Sequence, residues 1–480
     1  MDLPTVLTFA FAAYLIATGY FIVAENRKPS TTFAWMLLFA LLPGIGVVIY
    51  LLFGRKYFGQ TTRLMRQELT ARLRPLVEGL EPQHAAALDR LARAGEHDIL
   101  IAELVARTSL SVVTTRNRLT VLRNASQAYP ALFEDLKAAR RSIHMQYFSW
   151  GSDELGEGLL DVLAQKVAEG VEVRILYDPL GSLTMLRRSY LRRMRAAGVR
   201  MEPVSRLWRI HTISYRNHRK IAVIDGLVGH TGGLNIGGEH LKPPPGFALW
   251  RDTNVRIVGA AVSLLQAVFT IDWRNATGED LFHERLFPDE APDLSDADLP
   301  VQFSLSGPDS RWAAVRQLYF SMITNARERI FIQSPFFILD DTIAEALKTA
   351  ALQGVDVRIM ISERGTGQHL PYWAANTYLA DIARSGATIL LYRTGYLHAK
   401  TAAMDGRVCT IGSANIDIRS FSINYELNAV IYDQAITRSV EDDFHRDALE
   451  CVPFTAEAYD RRSPHMRLRD SLARLLSPLL

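Results

Sequence analysis

Residues 218–235 read HRKIAVIDGLVGHTGGLN, and residues 398–415 read HAKTAAMDGRVCTIGSAN. The first places His218, Lys220, Asp225, Gly233 and Asn235 at the spacing at which the second places His398, Lys400, Asp405, Ser413 and Asn415. A single histidine in such a run is an ordinary core or surface residue. Two copies, 180 positions apart, each with lysine at the same offset and asparagine after a small-residue turn, predict two half-sites that form one. In each copy Asp-Gly separates two short apolar runs, the signal for a two-residue hairpin turn that needs positive φ. That turn predicts Ile224 opposite Leu227 and Met404 opposite Arg407, with His218 facing Gly233 and His398 facing Ser413. Histidine and lysine, two apart, share one face of the strand. Asp225 and Asp405 fall in the turns, a structural position.

Outward from the hairpins the halves overlay. AARRSIHMQYF (138–148) answers NARERIFIQSPFF (325–337), and GVEVRILYDPLGS (170–182) answers GVDVRIMISERGT (354–366). Each half reads as helix, buried strand, helix starting near Gly156 or Asp341, buried strand, helix, then the histidine segment. Alternating strands and helices predict an α/β fold of two duplicated lobes with mixed sheets flanked by helices. The acidic, proline-containing stretch 287–300 is the expected linker. After each hairpin comes a carboxylate, Asp252 in WRDTNV and Glu426 in NYELNA. Asp252 is expected to fix the tautomer of His218, and Glu426 that of His398. The competing reading is a pair of surface carboxylates at strand ends.

Paired lysines, asparagines and Gly-Gly or Gly-Ser backbone facing two imidazoles make a concave anion site. One imidazole can attack a phosphorus while the other protonates the leaving oxygen. A lysine beside each histidine repels a cation, and no cluster has tetrahedral ligand spacing, so neither metal nor cofactor is expected.

The chain has 480 residues, 48% of them hydrophobic, enough for two or three domains, and its net charge of +3 decides nothing. Two cysteines cannot frame a disulfide scaffold, and Cys409, in an apolar run, reads as a buried inert thiol. Pro4–Ala24 is an uncharged apolar run about one bilayer long, and a second run covers Thr31–Phe53, interrupted by Pro43, Gly44 and Gly46. A signal peptide is disfavoured because no basic segment precedes the first run. Arg55, Lys56, Arg63, Arg66, Arg72 and Arg74 follow the second, against two basic residues in the loop between. That asymmetry predicts a transmembrane hairpin, kinked or re-entrant in its second limb, with the bulk of the chain cytoplasmic. The expected division is 1–56 hairpin, 57–108 helical connector broken around Gly79–Pro82, 109–290 first lobe and 296–480 second lobe.

The twin pattern resembles the phospholipase D superfamily signature, H-x-K-x-x-x-x-D followed by G-[GS]-x-N, in two intact copies covering about residues 110–450. The resemblance implies phospholipase-D-like lobes and a phosphohistidine intermediate at their interface. His218, Lys220, Asp225, His398, Lys400 and Asp405 fall on the catalytic signature, with His218 the implied nucleophile. Asn235, Asn415, Gly233 and Ser413 fall where the family binds phosphate. Within the superfamily, ENRKPSTTFAWMLLFALLPGIGVVIYLLFGRKY (25–57), the surroundings of the second motif and the final SPLL (477–480) look like bacterial cardiolipin synthases. That implies transfer of a phosphatidyl group from one phosphatidylglycerol to another in the inner membrane, with phosphatidylglycerol and membrane lipid as partners and no nucleic acid. A hydrolytic phospholipase D shares the motifs. A membrane-tethered nuclease would need a basic groove with stacking aromatics, and a degenerate scaffold is disfavoured by two complete motifs. Arg187, Arg188, Arg192, Arg193 and Arg195 either favour an anionic leaflet or line a solvated helix. The segment from Arg461, with Arg467, Arg469 and Arg474 among Leu468, Leu472, Leu475, Leu476, Leu479 and Leu480, is either an interfacial helix or one packed on the protein.

Overall fold

The computed structural model describes residues 2–27, 29–54, 60–109, 111–206, 214–288, 294 and 297–477. Arg55, Lys56, Leu479, Leu480 and much of the 287–300 stretch lie outside the described residues, as do the side chains of Arg63, Arg66 and Arg72. The chain divides into two compact units, one of Met1–Gly59 with Leu207–Ser214 and one of Gln60–Arg206 with Tyr215–Leu480.

In the first unit, Leu3–Ala24 is a continuous 22-residue helix, long and apolar enough to cross a membrane. The second apolar run is broken. Helix Pro29–Leu41 stops short of Pro43, which lacks an N–H, and Gly44 turns the chain at φ +80° before short turns over Ile45–Ile49 and Tyr50–Gly54. Arg27 donates to the hydroxyl of Tyr50 at 3.0 Å and to the carbonyl of Gly54, and Tyr50 donates to Glu25. A polar cluster thus ties the loop to the end of the second run.

The second unit holds two sheets of the same design. In the first the strand order is Asn117–Arg123, Thr253–Gly259, Val228–Gly232, Ile221–Ile224, Ser142–Tyr147, Glu172–Tyr177 and Arg200–Pro203. In the second it is Val301–Ser306, Glu426–Ile431, Val408–Gly412, Thr401–Met404, Arg329–Gln333, Asp356–Ser362 and Thr388–Tyr392, closed by Cys451–Phe454. The repeat expected from sequence is therefore a repeat of topology. The parallel strands at 142–147 and 172–177 are buried throughout or nearly so, and helix Glu154–Ala168 crosses between them. Asp153 caps that helix on the N–H of Gly156, and Asp340 caps its counterpart Asp341–Leu352 on Thr342 and Ile343.

The two sheets share a core. Ile221, Val223 and Ile257 from the first pack with Phe303, Ile411 and Leu427 from the second, all fully or almost fully buried. Backbone pairing stitches the lobes at two related places: Tyr396–Leu397 runs parallel to Trp250–Arg251, and Asn217 bridges Tyr425.

Two expectations change. The hairpins pair Ile224 with Val228 and Met404 with Val408, one residue away from the predicted register. The Asp-Gly turn itself forms, with φ +56° and +71° at Asp225 and Gly226 and Leu227 donating to Ile224 at 3.0 Å. Leu227, and Arg407 in the second copy, is then an extra residue on one strand, a bulge of the kind that increases local twist. The helix from Gln60 runs unbroken through Pro75, Gly79 and Pro82 to Ala94 and breaks at Gly95. Leu76, Val77 and Leu80 pack on the shared core, and Ala87 and Leu91 enter the second lobe's core with Ile101 and Val105, burial that outweighs poor helix formers.

Candidate active site

Each motif histidine sits just before its hairpin's first strand, and its backbone reaches across to the other lobe. His218 donates its N–H to the carbonyl of Tyr425 at 2.9 Å, and His398 donates to that of Arg251 at 2.7 Å. The residue after each acceptor is the orienting carboxylate. His218 Nδ1 lies 3.0 and 3.1 Å from the Glu426 oxygens, and His398 Nδ1 lies 2.6 Å from Asp252 Oδ2. The expected pairing within each half is therefore reversed: Glu426 orients His218, and Asp252 orients His398. The reason is the inter-lobe strand pairing, which delivers each carboxylate beside the opposite histidine.

With Nδ1 facing a carboxylate, Nε2 is the ring nitrogen left available in each imidazole. The surroundings differ. Phe148 meets His218 edge-on with ring centres 4.9 Å apart, while Trp250, Tyr396 and His240 crowd His398 at 5.3, 5.8 and 6.3 Å.

Lys220 and Lys400 are each 1% exposed and donate to the carbonyl of their own histidine, at 2.6 Å for Lys220. Among the described residues each makes this one hydrogen bond. Burial pushes Lys220 well below the lysine range and Lys400 down to about 8, with Glu426 and Asp252 opposing the shift in both. Both imidazoles are also held below the usual histidine range: His218 by burial, with Glu426 opposing, and His398 by burial reinforced by Lys400, Lys220 and His218. His398 thus feels the other lobe's histidine and lysine directly. Glu426 and Asp252 offset the charge of the two lysines but are engaged with the imidazoles, so an anionic ligand would relieve the cost of burying the ammoniums.

The carboxylates are not equivalent. Burial raises both, but at Glu426 it is outweighed by His218, Lys220 and a hydrogen bond from Ser413, leaving the carboxyl below its ordinary range. At Asp252 burial wins over Lys400 and its neighbours, and the carboxyl lies above its range.

Gly233 and Ser413, expected at the phosphate, both adjoin these carboxylates. A Cβ on Gly233 would lie 2.1 Å from Asp252 Oδ1, so the carboxylate fills the space a side chain would take. Ser413 Oγ instead donates to Glu426 Oε2 at 2.5 Å and accepts from the N–H of Leu427 at 2.9 Å. Asn235 Oδ1 accepts from the N–H of Ser149 at 3.2 Å, and Asn415 Oδ1 is buried without a hydrogen-bond partner among the described residues. Asp225 and Asp405, in the turns, hold neighbouring backbone. Asp225 accepts from the N–H groups of Arg140, Arg141 and Ser142, and Asp405 from those of Arg327, Glu328 and Arg329.

Comparison with known proteins bears on this geometry. The model of the cardiolipin synthase phospholipase-D-like domain matches residues 132–273 and 319–448, and that of the phospholipase D-nuclease N-terminal segment matches 6–55. The major cardiolipin synthase of Bacillus subtilis is 37% identical over 99% of this chain and 98% of its own. The cardiolipin synthase of Oceanobacillus iheyensis is also 37% identical, over 99% and 98%. The chain belongs to the cardiolipin synthase family. It is thus an enzyme of the phospholipase-D-like phosphatidyltransferases. Phosphatidylserine synthase of Haemophilus influenzae, 16% identical, shares the fold with a TM-score of 0.59 over 75% of this chain and 95% of that one.

This family member carries a supporting network that spacing alone did not single out. Gln146 and Asn217 donate to Asp272, which also pairs with Arg219 at 2.8 Å. In the second lobe Gln333 donates to Asp447, which pairs with Arg251 at 2.8 Å. The signal was present in sequence, since Gln146 and Gln333 occupy matching places in the overlaid strands. Asn217 and Arg251 adjoin His218 and Asp252, so the network holds the backbone that carries the reacting groups.

Proposed function

We propose that this chain transfers a phosphatidyl group from one phosphatidylglycerol to a second, giving cardiolipin and glycerol, through a covalent phosphatidyl-histidine. The observation that carries the reading is the pair of imidazoles, each fixed by a carboxylate of the opposite lobe, beside two buried lysines. Lys220, Lys400, Asn235 and Asn415 hold the phosphodiester. Its negative charge offsets the two ammoniums that, with burial, hold His398 below its ordinary range, and so favours protonation of His398. His218 Nε2 attacks phosphorus, and the bond to the glycerol headgroup oxygen breaks as His398 delivers its proton there. Ionised Glu426, facing Nδ1–H, stabilises the positive charge that develops on His218. Neutral His398 then removes the proton from the terminal hydroxyl of the second phosphatidylglycerol, whose oxygen attacks phosphorus and releases His218. The greater anionic character of Glu426 favours His218 as nucleophile.

In this reading residues 1–56 are a transmembrane hairpin that keeps the enzyme in the bacterial inner membrane, with the lobes, 109–290 and 296–480, on the cytoplasmic side and 57–108 leading into them. Support comes from the spanning-length helix Leu3–Ala24 and from the basic residues that follow the second run. Purified protein supplied with phosphatidylglycerol alone is expected to form cardiolipin and free glycerol in equal amounts. Phosphatidic acid with glycerol and no cardiolipin would show that water is the acceptor.

A further inference from the structure

Helix Pro464–Leu475 packs on the protein the wrong way round for a soluble domain. Its inward face carries a charge: Asp470 is fully buried and receives Arg462 at 3.1 Å, Arg469 at 2.9 Å and the amide of Asn376 at 3.1 Å. Ala473 and Ser477 complete that face, with Tyr378 donating to the Ser477 hydroxyl at 3.2 Å. Its outward face is apolar. Leu468, Leu472 and Leu475 follow one another at i, i+4 and i+7 and are 58%, 54% and 74% exposed, with Leu476 beside them. Contiguous exposed leucine ridges on a helix mark a binding surface.

The rim says what binds. Arg467 and Arg474 flank the ridge on one side and Arg469 on the other; Arg474 lies 3.6 Å from Asp381 and Arg469 pairs with the buried Asp470, the helix's sole acidic residue, so the rim has three arginines against two carboxylates. In a symmetric pairing with a second copy, this arginine rim would meet itself. Against an anionic bilayer the leucines enter the acyl region and the guanidiniums meet phosphates. Beside the helix opens a cleft of about 290 Å³ lined by Arg364, His369, Trp373, Arg462, Met466 and Arg469. Two of its three arginines share the carboxylate of Asp470, and Glu363, also in the lining, is paired with Arg393 at 3.4 Å, so the cleft still keeps a net positive charge suited to a phosphate headgroup.

We propose that helix 464–475 is an interfacial anchor whose leucine ridge lies in the membrane, with the adjoining basic cleft holding the headgroup of an anionic phospholipid apart from the reacting site. The inference requires the chain to be at a bilayer and does not depend on the transfer reaction.

The test uses full-length protein with Cys451→Ser, since Cys409 is buried and its thiol is pushed up to about 12 by burial, away from labelling reagents. Leu472→Cys, and separately Leu468→Cys, carries an environment-sensitive fluorophore in vesicles containing phosphatidylglycerol. A blue-shifted emission, quenched at least about two-fold by lipids brominated in their acyl chains and weakened in purely zwitterionic vesicles, is expected. An unshifted, water-exposed label in protein that floats with the vesicles overturns the proposal. So does a label protected in a protein-concentration-dependent way but untouched by bromolipid, which would seat a second copy there. Quenching retained in a preparation that forms no cardiolipin would count against the transfer reaction and leave the anchor standing.

Discussion

His398 Nδ1 lies 2.6 Å from Asp252 Oδ2, a contact between the second motif and the first lobe, mirrored by His218 and Glu426. Neither motif histidine therefore has its carboxylate in its own lobe. In the proposed reaction the interface is the unit of chemistry, and variants in one lobe are expected to impair the histidine of the other.

Substrates with different leaving groups separate the two pairs. With a p-nitrophenyl phosphodiester, whose leaving group needs no proton, Asp252→Asn is expected to retain most of the first-step burst, because His398 is then dispensable as acid. Glu426→Gln should lose about 10²- to 10⁴-fold of that burst by mis-setting the nucleophile. The opposite ranking would return each carboxylate to the histidine of its own lobe.

Lys400 sets an alkaline limit. Burial lowers its ammonium to about 8, so the charge that attracts phosphodiester is present below that pH and lost above it. KM for phosphatidylglycerol is expected to rise as pH passes about 8, and Lys400→Arg, which keeps its charge, should move that limb upward. A KM that stays flat through this range would remove Lys400 from substrate binding.

Ser413 acts on Glu426. Ser413→Ala is expected to lower kcat about ten-fold, the loss of roughly one hydrogen bond to a charged group, while KM holds. A rise in KM alone would restore a direct phosphate role. Gly233→Ala, by contrast, drives a methyl group into Asp252 and should cost about 1–3 kcal/mol of stability as well as activity.

Asp225 holds the hairpin to the neighbouring strand. Asp225→Ala removes the acceptor of three backbone N–H groups and places alanine at φ +56°. Thermal unfolding should show a loss of about 2–4 kcal/mol, with near-normal kcat in the fraction that remains folded. A fall in kcat at unchanged melting temperature would make the residue catalytic.

Much of this enzyme was legible in the chain because the relevant patterns are local. The hydrophobic period of 142–147, 172–177 and their repeats fixes buried parallel strands, Asp-Gly fixes two turns, and the twin motif picks out the two histidines and two lysines that lie together at the lobe boundary. Leu3–Ala24 declares itself by length and lack of charge. What tertiary structure alone decided depends on contacts between segments far apart in sequence. The bulges at Leu227 and Arg407 shift the strand register by one residue, and burial carries the helix from Gln60 past two prolines. The pairing of Trp250–Arg251 with Tyr396–Leu397, and of Asn217 with Tyr425, carries Asp252 and Glu426 across the lobe boundary. Spacing along a chain measures distance only within one element; which carboxylate meets which imidazole is set by how two folded lobes dock.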